Sequence, residues 1–447
     1  MKTRLYNARI LTMAGEKASD QPIFEGEVWV DGDRIVYAGT GKTDGGKTDG
    51  GKTDGAAGAV SPAFDREIDC GGNLLMPGFK DAHTHSAMTF LRSHADDLPL
   101  QDWLNNQVFP FEARLTPDDI RELTKLAILE YLTTGVTSIM EMYLTPETIA
   151  EACNELGMRC VQVGSCNNFS QSAADVERWY KELNGVSDLT SFEIGFHAEY
   201  TCSPELMEQF ADMAHRYQAP VFTHCEETRA ETEGCIERYG KTPIAYLADL
   251  GMFDYGGAGY HLVWTNEEDR AIMRDKGIGV VTNPASNAKL ASGIAPISAY
   301  LAEGIPVAIG TDGPASNNCL DMFREMFLVT ALAKLRDQDA SAVPAYDVLR
   351  MATYQGAHIM RIPDADCIAP GKLADLVLID LDQPNMQPLH NIAANVVYAG
   401  SKSNVKMTMI AGKVLYDRFD GTERYHVGVD PEEIYATCAE LTRRLTA

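Results

Sequence analysis

From Leu74 onward the chain alternates short apolar runs with longer stretches in which apolar residues recur at helical spacing. The runs are Leu74 to Met76, Thr137 to Met140, Cys160 to Val163, Phe192 to Phe196, Pro220 to Thr223, Tyr260 to Val263, Ile278 to Thr282 and Val307 to Gly310. Segments between them, such as Asp118 to Thr133 and Pro204 to Tyr217, carry the helical pattern. Eight strand-and-helix units in series predict an α/β fold, a TIM-like (β/α)8 barrel.

The two ends read differently. Arg9 to Met13, Glu27 to Val30 and Arg34 to Tyr37, the last two joined by an Asp31-Gly32 turn, predict strands near the start. Lys372 to Ile379 and Val405 to Ile410, with a turn and return strand through Leu415, predict strands near the end. These pieces are expected to fold together as a small β-sandwich domain built from both chain ends. The expected organisation is sandwich over residues 1–70 and 366–420, barrel over 71–365, and a helical extension over 421–447. The Gly-Lys-Thr-Asp-Gly unit repeated from Gly41 to Gly55 has nothing apolar to bury, and predicts a flexible surface insertion without chemistry. It lacks the strand-to-helix context of a phosphate-binding loop.

Charge narrows the partners. Lys+Arg 38 against Asp+Glu 64 gives −26, a field that repels nucleic-acid phosphates and anionic membrane surfaces. With 45% hydrophobic and 23% charged residues the chain reads as a soluble globular protein. No early run resembles a signal peptide, and none reaches the roughly 20 apolar residues that span a bilayer. The ten cysteines are scattered without a CxxC pair, which fits free thiols in a reducing cytoplasm.

The chemistry starts at His83-Thr84-His85, where two imidazoles one residue apart can leave the same face of an extended segment. A lone His-x-His is common in solvated turns, so the other strands must decide. Their ends, in order, carry His83 and His85, Glu141, His197, His224, His261 and Asp312, and barrel enzymes gather their catalytic groups at those ends. His83, His85, His224 and Asp312 form a borderline-soft ligand set suited to one Zn²⁺, with Fe²⁺ or Mn²⁺ as alternatives, and water held at such an ion ionises near neutrality. Glu227, three residues after His224, is placed to shuttle the proton. Its neighbour Glu226 is expected to be a solvated acid. His261 either orients the water or is a core histidine satisfied by backbone.

The order of these motifs resembles the amidohydrolase superfamily. Finer segments resemble its methylthioadenosine/S-adenosylhomocysteine deaminase branch: His83 to Met88, Leu100-Gln101-Asp102-Trp103-Leu104, Phe109-Pro110-Phe111-Glu112, Ser286 to Gly293, and Gly310 to Asn318. The resemblance implies that His83, His85, His224 and Asp312 bind the metal, that Glu227 is the proton shuttle, that His261 assists the attacking water and that Asp312 shares in proton transfer. It also implies Glu112 on the ribose hydroxyls and His197 beside the purine. Binuclear relatives carry a bridging lysine where this chain has His197, so one metal is expected, and homo-oligomers are common in the family. The expected reaction is hydrolytic deamination of an adenine nucleoside: adenosine, 5′-deoxyadenosine, 5′-methylthioadenosine or S-adenosylhomocysteine. Without a recognisable cation for a carboxylate, uncharged 5′ groups are favoured.

The competing readings are an s-triazine hydrolase, a guanine-type base deaminase for which Glu112 would hold no ribose, and a non-catalytic scaffold. His197-Ala198-Glu199 matches the H-x-E of cytidine deaminases but no P-C-x-x-C follows, and neither HExxH nor G-x-S-x-G is present.

Overall fold

Eight parallel strands in the computed structural model run side by side in chain order: β1 (Phe79–Thr84), β2 (Val136–Met142), β3 (Arg159–Val163), β4 (Thr190–Ala198), β5 (Val221–Cys225), β6 (Gly257–His261), β7 (Ile278–Thr282) and β8 (Val307–Ile309). A parallel bridge between Thr84 and Asp312 brings the first strand against the end of the last, so the sheet is a nearly closed barrel. The structure describes residues 1–17, 19–20, 22–41 and 63–447, and all but the first residue of the Gly-Lys-Thr-Asp-Gly tract lies outside them.

The helices between strands begin where the sequence offers caps. Thr116 and Asp119 exchange side-chain-to-backbone hydrogen bonds ahead of Pro117–Thr133, and Ser203 with Pro204 opens Pro204–Tyr217. Inward-facing strand residues, among them Ala82, Met140, Val161, Phe222, Tyr260 and Ala308, fill the barrel, and a larger apolar layer packs the helices outside it.

Both chain ends join one nine-stranded mixed sheet beside the barrel. In it Leu74–Pro77 lies parallel to Lys2–Ile10 and antiparallel to Leu376–Ile379. The run Leu74 to Met76 is therefore not the first barrel strand, as its pattern predicts, but a strand of this sheet. Leu75 faces the sheet's own core while Leu74 and Met76 pack into the barrel's outer layer, and burial on both faces gives the same continuous apolar signature in either place. The true β1 begins after Gly78 and hides behind its polar residues, for Lys80, Asp81 and His83 are all fully buried. Burial pulls the Lys80 ammonium down to about 8, and it donates to the Gly78 carbonyl and the Thr137 hydroxyl at 2.8 and 2.9 Å.

A buried ion pair ties the sheet to the barrel. Arg159 on β3 meets Asp375 through Nε at 2.6 Å and Nη2 at 3.2 Å, and Asp375 also accepts from the Ala411 amide at 2.8 Å. Asp375→Ala is expected to cost about 3–5 kcal/mol, because it strands the guanidinium inside the protein. Urea unfolding followed by circular dichroism measures this; a loss below about 1 kcal/mol would show that Arg159 finds water instead.

Candidate metal centre

The end of β1 places His83 and His85 on one side of the barrel mouth, and the opposite strands bring the remaining groups to them. One donor atom from each of His83, His224, His261 and Asp312 lies within 4.8 Å of the others, and all four side chains are buried. His85 joins this group through Asp312, its Nε2 standing 3.2 Å from Oδ1, while His83 Nε2 stands 3.6 Å from the same oxygen. His261 thus lies nearer the centre than a core histidine satisfied by backbone would.

Hydrogen bonds on the far side of each ring fix which nitrogen faces inward. The Nδ1–H of His85 donates to the Met142 carbonyl at 2.5 Å, that of His224 to the His197 carbonyl at 2.7 Å, and that of His261 to Asn287 Oδ1 at 2.7 Å. Each turns Nε2 away from its anchor and toward the cluster, the orientation that metal-ligating histidines use. Neither ring nitrogen of His83 has a hydrogen-bond partner, and the ring stacks on Tyr260 with centroids 3.8 Å apart.

Asp312 is clamped on one oxygen. Ser286 and Ser316 hydroxyls both donate to Oδ2 at 2.6 Å, so Oδ1 alone faces the histidines. Burial opposes its charge, but the hydrogen bond from His85 and the surrounding imidazoles hold the carboxyl well below its ordinary range. For His85 burial again works against the charge, and Asp312 outweighs it, raising the imidazole to about 9. His83 and His224 are driven well below 6.5 by burial and then by neighbouring histidines, and His197 falls to about 4 for the same reasons.

The backbone is bent to deliver these groups. Glu226, His261 and Asp312 leave their strands at φ of 52°, 73° and 57°, in the left-handed region that side chains other than glycine seldom occupy. Gly310 permits the closure of β8 on β1, since a Cβ there would lie 2.7 Å from the His83 carbonyl oxygen and 2.5 Å from Asn283 Oδ1.

Buried carboxylates pin the loops around the site. Asp81 accepts from the Thr311 amide at 2.8 Å, Glu141 from the Ser86 amide at 3.0 Å, Glu325 from the Ala285 amide at 3.0 Å, and Glu231 from the Glu226 and Glu227 amides at 2.8 and 2.9 Å. Glu141 therefore holds the chain behind His85 and does not line the pocket. Glu226 is also buried, not a solvated acid: its Oε1 accepts from the Ile244 amide at 3.1 Å. Packing of the Pro243–Asp249 helix over the end of β5 removes it from water.

A cavity of about 470 Å³ opens over the cluster, within the range of small-molecule sites. His85, His197, His224, Glu227, His261 and Asp312 line its floor, and Glu112 reaches it from the segment between β1 and β2. Glu227 accepts from the Ser292 hydroxyl at 3.1 Å and stands 4.0 Å from His261 Nε2; burial raises its carboxyl, with His261 pulling the other way. Burial lifts Glu112 to about 7 against the opposing effects of the Tyr143 hydroxyl and His85. Every site residue named from the sequence is thus at this one end of the barrel, with His83 beneath the pocket floor.

Sequence reasoning missed Tyr143, whose buried hydroxyl lies beside the Glu112 carboxyl, although it follows the end of β2 directly. It also assigned no role to Ser286, Asn287, Ser292 and Ser316, which lie inside segments singled out for their resemblance. Glu231, one helical turn after Glu227, left no signal distinguishable from a surface helix acid.

A model of the Amidohydrolase family matches residues 74–415. Over its whole length the chain is 37% identical to a 5-methylthioadenosine/S-adenosylhomocysteine deaminase of Syntrophomonas wolfei, covering 99% of that relative. The solved structure of an adenosine deaminase from Xanthomonas campestris with bound zinc superposes with a TM-score of 0.87 at 30% identity, covering 99% of this chain and 98% of that one. The zinc complex of an atrazine chlorohydrolase from Arthrobacter aurescens superposes with a TM-score of 0.86 at 23% identity, over 98% and 100% of the two chains, and supports the fold alone.

Proposed function

The chain belongs to the amidohydrolase family, and from that premise we propose that it is a metal-dependent aminohydrolase that converts adenine nucleosides to their inosine analogues and ammonia. The observation that carries this reading is the donor cluster on the floor of a cavity of nucleoside size, with Glu227 beside it.

The residues fit a divalent ion. Both nitrogens of a fully buried His83 lack partners, the neighbouring His224 is held neutral, and Asp312 is held charged with one free oxygen. His83, His85, His224 and Asp312 would hold one ion, with Zn²⁺ the best match and Fe²⁺ or Mn²⁺ alternatives. When bound, it supplies the Lewis acidity that makes water nucleophilic near neutral pH.

The chain's own groups account for the remaining steps. Water adds to C6 of the purine; Glu227 takes its proton and returns it to a ring nitrogen, and the burial that raises this carboxyl suits it to hold the proton between the two transfers. His261, its Nδ1–H committed to Asn287, directs Nε2 to the reacting side and steadies the attacking water. Asp312 takes part through Oδ1, since the serines occupy Oδ2: it accepts the proton of the new C6 hydroxyl and passes it to the amino group, so that the C6–N bond breaks, C6=O forms and ammonia leaves. His197 lies beside the purine.

The Glu112 carboxyl is buried beside the Tyr143 hydroxyl with its Oε1 left without a hydrogen bond, and a ribose hydroxyl supplies what that oxygen lacks. Glu112→Ala is expected to lower kcat/KM for adenosine by roughly 10- to 100-fold. The same variant should be indifferent to removal of the 2′ and 3′ hydroxyls, while the native enzyme loses activity on 2′,3′-dideoxyadenosine; equal losses in both would reject the ribose role.

Ammonia release across purine nucleosides, free bases and triazines tests the function. Adenine nucleosides are expected to exceed every free base and triazine in kcat/KM, and a triazine turned over faster would overturn the reading.

A further inference from the structure

We infer that a second cavity, separate from the catalytic one, is a binding site for a nucleoside monophosphate. It has a volume of about 630 Å³ and lies where the helix Pro117–Thr133, the mixed sheet and the C-terminal helix Pro431–Thr446 meet, a junction of the kind at which small-molecule sites form. It shares no lining residue with the catalytic cavity.

Part of the lining suits a base. Leu126, Leu129 and Thr133 recur at helical spacing, so one face of the helix Pro117–Thr133 offers the cavity a largely apolar side. Three tyrosines join it: Tyr416, 1% exposed, with its ring centroid 5.3 Å from that of Tyr425, and Tyr435, 40% exposed, beside Tyr425. Every nucleobase has a π face that stacks on rings of this kind, whatever its hydrogen-bonding edge.

The rest of the lining suits a phosphate. Among the described residues, three cations line this cavity, against none in the catalytic one. Arg92 is already neutralised: its Nη2 meets Glu130 Oε2 at 2.5 Å, and Glu130 Oε1 also accepts from the Leu320 amide at 3.1 Å, so this pair braces the segments that follow His85 and Asp312. Lys402 and Arg418 are not. Arg418 Nη1 donates to the Ser403 carbonyl at 3.3 Å and Lys402 has only the more distant Asp321 to answer, with no ion-pair partner for either among the described residues. The other lining acid, Glu423, accepts from the Tyr416 hydroxyl on Oε1 at 3.2 Å, which leaves Oε2 to accept from a ribose hydroxyl. Two uncommitted cations match a phosphate dianion, and in a chain of net charge −26 this local excess of positive charge is where such an anion can be held.

Isothermal titration calorimetry of the full zinc-loaded chain with uridine 5′-monophosphate, uridine and inorganic phosphate tests the site, and uracil carries no amino group for the proposed deamination to act on. The monophosphate is expected to bind about 10-fold or more tightly than either of its parts, and to weaken as ionic strength rises. Lys402→Ala is expected to lower that affinity by about 10-fold, and Tyr435→Ala by a similar factor, both with kcat/KM for adenosine unchanged when no nucleotide is present. Both positions are exposed, so neither change threatens the fold. Three results would each overturn the inference: no binding of the monophosphate, an unchanged affinity in either variant, or competition with adenosine at an inhibition constant equal to the calorimetric Kd, which would seat the nucleotide in the catalytic cavity.

Discussion

Glu227→Gln is expected to keep its fold and its metal and to turn adenosine over about 10³-fold more slowly, the usual scale for loss of a positioned acid–base group. The substitution preserves shape, and the Ser292 hydroxyl can still donate to the remaining carbonyl oxygen. The Glu231 carboxylate continues to hold the backbone amides of residues 226 and 227, so the loop has no reason to move. What is lost is the ability to take a proton from water and return it to the ring. Metal analysis, circular dichroism and kcat on the same sample separate these effects. An undiminished kcat would remove Glu227 from the reaction; loss of metal with activity would make it a structural support of the cluster.

The combined His83→Ala, His85→Ala variant is expected to reduce the metal content from about one per chain to near none and to abolish measurable deamination. His83 lies at the base of the cluster with both nitrogens unsatisfied, and His85 is the hydrogen-bond partner that keeps Asp312 charged. The native protein should melt higher with metal than after chelation, by the linkage RT ln(1 + [L]/Kd), about 2.7 kcal/mol at 100 times Kd. The variant should show no such difference. Elemental analysis and paired thermal melts check both statements, and native protein that purifies without metal and gains none on incubation would overturn the metal-dependent reading.

The parts of the fold legible in the chain were those with strong local periodicity. Seven of the eight apolar runs overlap the barrel strands, and the helices over 117–133 and 204–217 fall where the apolar spacing puts them. The failure at Leu74 has a definite cause. A strand buried on both faces looks alike in an outer sheet and in a barrel, whereas β1 carries buried polar residues that no hydrophobic pattern marks. Glu226 failed for a related reason: an acid is normally solvated, and only the helix over 243–249, with its free Ile244 amide, makes burial tolerable.

The candidate site was legible because metal and proton chemistry require particular side chains, and the strand ends that bear them are marked by the apolar runs before them. Residue identity and periodicity therefore established the barrel and the histidines and carboxylates at its mouth. Distance and solvation were not written there. That Asp312 uses a single oxygen, that His261 stands within the donor group, that Tyr143 shares the pocket with Glu112, and that four buried carboxylates hold the surrounding loops depend on contacts between segments far apart in the chain. Such contacts arise only when the strands close on one another, because a side chain's partners and its access to water are properties of the packed molecule and not of its neighbours along the backbone.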